Sequence, residues 1–371
     1  MAVIKILQLA HGRIIPSFYS GYSRRCHDLF RGENRKIISI GGPFIIDRKE
    51  DDVEQYSSLS LLISSILKGN RSFEILISRG RLRKKFIRRA EELIKESDVI
   101  VFEGPWLYRP LKNILGKKFI VYDAHNVEYI LRKNNPYQEE VKEIEGDLVK
   151  NADLIFLVTS EDMEIMKKTY ELNEEKLYLI PIQLEIKEYK WRGENSKDIV
   201  FIGSLYEANI LALKEIEKIA EKLDDFTFHI IGSLKNYPKK KKLKNIVYHG
   251  TLEEEKKDEI LNSSFLALNP VTMGSGRNVK MVDYIIHGLP VLTTPLGARG
   301  FNIQEIKDLI FIENLENFPD RIIEISKKRE VLPVISKRLY DYGKILFESE
   351  TSRKPLKIIE EKLKVRRESL A

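Results

Sequence analysis

Apolar runs rich in Val, Ile and Phe alternate along the chain with stretches whose apolar residues recur at helical spacing. In the first half the runs are VIKILQLA (3–10), RKIISIGG (35–42), DVIVFEG (98–104), KFIVYDAH (118–125) and ADLIFLVTS (152–160). Between them lie amphipathic segments such as RRAEELIKES (88–97). Strands that are apolar on both faces and separated by helices predict a parallel sheet covered by helices. The second half repeats the plan with DIVFIGS (198–204), FTFHIIGS (226–233), NIVYHG (245–250), SFLALNP (264–270), LPVLTTP (289–295) and LIFIE (309–313). The pattern predicts an α/β chain of two doubly wound, Rossmann-like domains in tandem.

The polar stretch 182–197 has no clean periodicity. It divides the chain into a first domain over 1–185, a linker over 186–197 and a second domain over 198–340. Residues 341–371 read as a helical tail broken near Pro355.

Composition removes several classes. A chain of 371 residues is too long for one ordinary core. Its single cysteine, Cys26, excludes an internal disulfide framework and fits a reducing, cytoplasmic setting. No apolar run approaches the roughly 20 residues that span a bilayer, and the first residues resemble a strand rather than a signal peptide. The net charge of +7 gathers in 79–89, 238–244 and 362–368, without the interleaved aromatic residues that stack on bases, so nucleic acid is not an expected partner. Leu82, Phe86 and Ile87 among the cations of 79–89 raise the expectation of peripheral docking on an anionic membrane.

A doubly wound sheet binds ligands beyond the carboxyl ends of its strands. Gly203 and Ser204, Gly232 and Ser233, His125 and Asn126, and the MGSG stretch ending at Gly276 all follow predicted strands. Small residues there let a ligand approach the backbone. The segment MGSGRNVKMVDYIIHGLP (273–290) joins a loop of Gly274, Ser275 and Gly276 to a helix that begins near Arg277 or Asn278. Loop amides and a helix N-terminus suit an anion. Arg277 and Lys280 supply cations for phosphate oxygens, and Asp283 and His287 share a helix face with Lys280. Asp283, one turn behind, suits ribose hydroxyls. No Gly-Lys-Ser/Thr follows the loop, and the first strand lacks G-x-G-x-x-G, so neither a Walker loop nor a nicotinamide fingerprint is present.

These blocks resemble the retaining glycosyltransferases of the two-Rossmann (GT-B) architecture, family 4 (glycosyl transferases group 1). The resemblance is carried by VYDAHNVEY (121–129), VFIGSLYEANILALKEI (200–216), FHIIGS (228–233) and, most specifically, GSGRNVKMVDYIIHGLPVLTTPLGARG (274–300). It implies two domains facing a cleft, a C-terminal helix crossing back to the first domain, a hexose moved from a nucleotide-sugar donor with retention, and no metal or cofactor. By it, His125 meets the transferred sugar, Gly21 approaches the diphosphate from the first domain, and Gly203, Ser204, Gly232, Gly274, Gly276, Arg277, Lys280 and Asp283 hold the donor. Glu103 and Glu128 are further polar residues on the acceptor side, where loops 11–25 and 43–72 would meet a saccharide or lipid-linked acceptor.

Two departures stand out. The family usually has two glutamates eight positions apart where this chain has Ser275 and Asp283, so Ser275 takes a catalytic position without a charge. Ser204 stands where many members carry a phosphate-binding arginine, which moves that role to Arg277. A hydrolase or epimerase on the same scaffold, or a non-catalytic basic binding protein, are the alternative readings.

Overall fold

The computed structural model describes residues 3–15, 20–41, 45–58, 73–133, 135–181, 186–274, 277–351 and 354–370. They form two compact units, one of Met1–Ser17, Tyr22–Gln183 and Arg353–Ala371, the other of Phe18–Gly21 and Leu184–Ser352.

The first unit is built on β1 (Ile6–His11), β2 (Arg35–Ile40), β3 (Arg48–Glu50), β4 (Val53–Tyr56), β5 (Val99–Glu103), β6 (Phe119–Ala124), β7 (Leu154–Leu157) and β8 (Leu177–Leu179). They lie in the order β3-β4-β2-β1-β5-β6-β7-β8. Every pairing is parallel except β3 with β4. The five apolar runs are β1, β2, β5, β6 and β7. β3, β4 and β8 are not among the predicted runs: β3 and β4 are largely charged or polar, and β8, though apolar, is three residues long. Of the 43–72 loop, β3 and β4 occupy part, and 59–72 lies outside the described residues. Helix Lys84–Glu96 shows the covering principle: Phe86, Ala90, Leu93 and Ile94 fall on one stripe and are buried.

The second unit carries β9 (Asp198–Ile202), β10 (Thr227–Ile231), β11 (Ile246–Gly250), β12 (Leu266–Asn269), β13 (Val291–Thr293) and β14 (Phe311–Ile312). All six were legible as apolar runs. Their order, β11-β10-β9-β12-β13-β14, is wholly parallel. The strand order reverses between β1 and β5 in one sheet and between β9 and β12 in the other, the points where such folds open a crevice.

The stretch 186–197 is not a free linker. The Trp191 indole donates to the Ser264 carbonyl at 2.9 Å and the Arg192 amide to Asn262 at 2.8 Å. Gly193 passes so close to Ser264 that a Cβ would lie 1.9 Å from its carbonyl oxygen. Side chains hold it too: Lys187 pairs with Glu254 and Asp258, and the Tyr189 hydroxyl lies 3.0 Å from that of Ser336.

The tail is two helices. Leu332–Thr351 belongs to the second unit, while Pro355–Leu370 joins the first, where Ile359 is fully buried among Ile6, Phe30, Val99 and Phe119. Arg366 pairs with Asp153 at 3.1 Å beside it. Among the described residues no helix is long and apolar enough to cross a membrane. Of the apolar residues in 79–89 expected to dock on a membrane, two face the core. Phe86 is fully buried and Leu82 packs on the same core, while Arg79 pairs with Glu140, Arg83 and Lys85 with Asp47, and Arg89 with Glu54.

Truncating a fully buried isoleucine costs about 2–5 kcal/mol. Ile359→Ala is therefore expected to lower the unfolding midpoint of the first unit in calorimetry by several degrees, and the exposed Val365→Ala to leave it within error.

Candidate functional site

In the second unit, the groups expected to bind a donor lie past the carboxyl ends of β9, β10 and β12. Gly203 and Gly232 close on each other: a Cβ on Gly232, which has φ +108°, would sit 2.4 Å from the Gly203 carbonyl oxygen, and one on Gly203 would meet Leu234 at 2.6 Å. These glycines let the two strand-end loops touch, a packing role in addition to any ligand approach. Ser233 caps the arrangement by accepting from the Leu205 amide at 2.8 Å.

Helix Val279–Ile286 starts one residue after Asn278, as expected, and Gly274 takes φ +132° before it. Ser275 and Gly276 lie outside the described residues. Arg299 donates to the Gly274 carbonyl at 2.8 Å and holds this end of the loop.

The charged residues of this segment part company. Arg277 is not the mobile cation its position suggested: it pairs with Glu350 at 2.7 Å, and its guanidinium lies over the rings of Phe301 and Phe347. Lys280 is buried, donates to Asn209 Oδ1 at 2.7 Å and lies 4.4 Å from the centre of the Phe201 ring. Burial pushes its ammonium down to about 7. Asp283, also buried, pairs with Lys257 of helix Glu254–Ser263 at 3.2 Å. His287 continues that side by bonding Asp258 at 3.1 Å. Positions 280, 283 and 287 lie on one side of the helix, within about 60° of one another, and along it Lys280 meets Asn209 while Asp283 and His287 meet Lys257 and Asp258 of a neighbouring helix. Ser204 gives its carbonyl to Asn209 Nδ2 at 3.0 Å, which makes Ser204, Asn209 and Lys280 one connected set. Asn209 and Lys257 escaped the sequence reading because no strand end or glycine marks them, and Arg299, beside Gly300, was not singled out from its block.

The first unit gathers a second set at the ends of β1, β5 and β6. Glu103 and Asp123 are register neighbours on adjacent parallel strands, both fully buried. Two carboxylates side by side are tolerated because cations and donors surround them. Asp123 is clasped by Arg25 of helix Gly21–Asp28, with Nε to Oδ2 at 2.8 Å, and Arg25 also donates to the Ile180 carbonyl at 2.9 Å. Gly21 opens that helix. Glu103 accepts from Gln8 at 2.7 Å, and His125 Nε2 lies 2.7 Å from Glu103 and 3.2 Å from Asp123. Burial opposes the His125 cation, but Asp123 and then Glu103 outweigh it and hold the imidazole up at about 9. Burial and the neighbouring Asp123 charge push Glu103 up, while Asp123 itself is held below the usual carboxylate range by Arg25 and His125 against its burial.

Tyr22 lies between two histidines, its ring centre 4.6 Å from His125 and 4.8 Å from His11. Burial drives His11 down to about 4, so at neutral pH it is uncharged beside a cationic His125. Glu128 is buried and pairs with Arg132. Behind it, the buried Glu145 accepts from the hydroxyls of Tyr122 and Tyr170 and from the amides of Glu128 and Tyr129, holding the turn that follows His125. Strand parity could have placed Asp123 beside His125, two positions on; nothing in sequence pointed to Arg25. Among the described residues the one group with metal-compatible spacing is Cys26, Glu103 and His125, with ligand atoms within 4.8 Å of one another. Cys26 and His125 already point hydrogen-bonding atoms at Glu103.

Nuclear magnetic resonance of the imidazole protons should find His125 protonated to about pH 9 and His11 neutral down to about pH 4, and Asp123→Asn should lower the His125 midpoint. The folded value of His125 lies above the ordinary 6.5. Its contribution to stability is thus fully present below pH 6.5 and is lost as pH rises through about 9.

Residues 196–328 match the family model described as "Glycosyl transferases group 1". A curated relative, the "Uncharacterized 44.6 kDa protein in cps region" of Klebsiella pneumoniae, is 23% identical over 279 residues, 67% of this chain and 69% of that one. Among solved structures, Anabaena Alr3699/HepE in complex with UDP-glucose superposes with a TM-score of 0.69 at 12% identity, covering 96% of this chain and 99% of that one. TarM of S. aureus gives 0.62 at 11% identity, covering 98% and 99%. At such identities the superpositions speak for the GT-B fold, and the family match speaks for the chemistry of the second unit. With residues 196–328 matching that model, the chain is a glycosyltransferase.

Proposed function

We propose that this glycosyltransferase moves a hexose from a nucleotide-sugar donor to a saccharide or lipid-linked acceptor, as a family 4 enzyme, with retention of configuration and without a metal ion or cofactor. The observation that carries the donor reading is Lys280. A buried ammonium costs free energy unless an anion meets it, and this one stands at the β9/β12 switch point with a neutral amide as its hydrogen-bond partner. A nucleoside diphosphate is the anion that fits a matched glycosyl transferase domain. The Anabaena protein was solved with UDP-glucose, and a TarM mutant with UDP and α-GlcNAc-glycerol.

In this reading the second unit binds the donor. Lys280 and the N-terminus of helix Val279–Ile286 meet the charge that grows on the departing diphosphate. Asp283 accepts from the ribose hydroxyls, with Lys257 orienting the carboxylate. His125, cationic over the neutral range, contacts the transferred sugar, and the first unit serves the acceptor. Retention and family 4 membership rest on the resemblance of 274–300 and 121–129 to that family.

A nucleotide at 100 times its dissociation constant adds about 2.7 kcal/mol of stability, so a thermal-shift screen should single out one nucleoside diphosphate. Against that ligand Lys280→Ala is expected to lose about ten- to a hundredfold in affinity, the value of a charged hydrogen bond. Asp283→Asn should lose about tenfold for the ribonucleotide and little for its 2′,3′-dideoxy analogue. A screen in which no nucleotide raises the midpoint would end the donor reading, and inversion seen in the product's anomeric signals would end the retaining one.

A further inference from the structure

We propose that Asn209 is a positioning residue for Lys280, holding the ammonium over the Phe201 ring at the end of β9 without cancelling the charge that a donor diphosphate has to meet. The inference deepens the donor reading above and rests on it.

The amide of Asn209 has a decided orientation. Its Nδ2 donates to the Ser204 carbonyl at 3.0 Å and lies 3.4 Å from the Ser204 hydroxyl. A carbonyl only accepts and an ammonium only donates, so the amide nitrogen must face Ser204 and the oxygen must face Lys280, 2.7 Å away. Ser204 follows β9, Asn209 lies early in helix Glu207–Lys222 and Lys280 early in helix Val279–Ile286, so one side chain ties three elements to one point.

The choice of residue type has a chemical sense. A carboxylate at 209 would neutralise Lys280 and repel phosphate; an apolar residue would leave the ammonium unheld in a site that shields it from water. A neutral amide fixes the position and leaves the charge uncompensated. Ionisable groups on the packed elements include Glu207 and Glu217 on the helix of Asn209, Lys235 after β10, and the Asp283–Lys257 pair behind Lys280. None of them contributes to the lowering of Lys280, whose cause is burial alone. Lys280 thus changes charge near pH 7 in the free protein, and an arriving diphosphate fixes the proton.

The test uses the full chain, with UDP as probe. Carbon-13 lysine resonance in the nucleotide-free protein gives the Lys280 midpoint, and calorimetry gives UDP affinity across about pH 6 to 9. Wild-type affinity should fall by about tenfold per pH unit above the midpoint. Asn209→Asp should move the Lys280 midpoint up by about one unit or more and weaken UDP below it, since the added carboxylate favours the cation. Asn209→Ala should move the midpoint down, and Lys280→Arg, which stays charged, should abolish the pH dependence. Retained cooperative unfolding in each variant establishes folding, and a structural role alone would leave both midpoints unmoved. Unmoved midpoints with UDP still bound would overturn the inference and leave the donor reading standing. Midpoints that move as described, in a protein that binds no nucleotide at any pH, would overturn the donor reading and with it the role assigned to Asn209.

Discussion

A parallel strand buried on both faces has almost no place to carry a polar group except where it ends. That constraint organises both units of this glycosyltransferase. β5 and β6 are buried along their whole length and deliver Glu103, Asp123 and His125 at their carboxyl ends, while β9 and β10 deliver Gly203, Ser204, Gly232 and Ser233 at theirs. The chemistry is local to the strand ends because the sheets leave it nowhere else to go.

The two strand-end sites solve the problem of buried charge in opposite ways. In the first unit the charges are compensated inside the protein: Asp123 has Arg25, Glu103 has His125 and Gln8, and the set resembles a closed ionic cluster whose geometry is kept by its own hydrogen bonds. In the second unit Lys280 is short of a counter-ion, while its charged neighbours each have one, Arg277 in Glu350 and Asp283 in Lys257. Breaking a compensated pair leaves a buried charge stranded, so the first site favours rigidity; an uncompensated cation is stabilised by whatever anion arrives, so the second favours binding.

This contrast also explains how far the sequence could be followed. All six strands of the second sheet, five of the eight in the first, and the start of helix Val279–Ile286 were legible, because apolar runs and capping loops are local signals. The division of labour within 277–287 was not. Arg277 looked like a ligand cation until Phe301, Phe347 and Glu350, distant in sequence, enclosed it. Asn209 was invisible for the same reason in reverse: nothing about an asparagine in a helix announces that a lysine 71 residues away depends on it. The hold that 186–197 keeps on the second unit was not legible, because its carboxylate, hydroxyl and carbonyl partners leave no hydrophobic pattern.

The placement of helix Pro355–Leu370 in the core of the first unit has a consequence for how the chain is made. A ribosome releases the last residues of the first unit only after the whole second unit has emerged, about 170 residues later. At roughly 5–20 residues per second that interval is about 10–30 s. Through it the surface awaiting Ile359, lined by Ile6, Phe30, Val99 and Phe119, is uncovered. The second unit, contiguous from Leu184 to Ser352 apart from a short N-terminal piece, can complete its own sheet in that time. Synthesis order and folding order are therefore reversed: the half that begins the polypeptide is the half that finishes last.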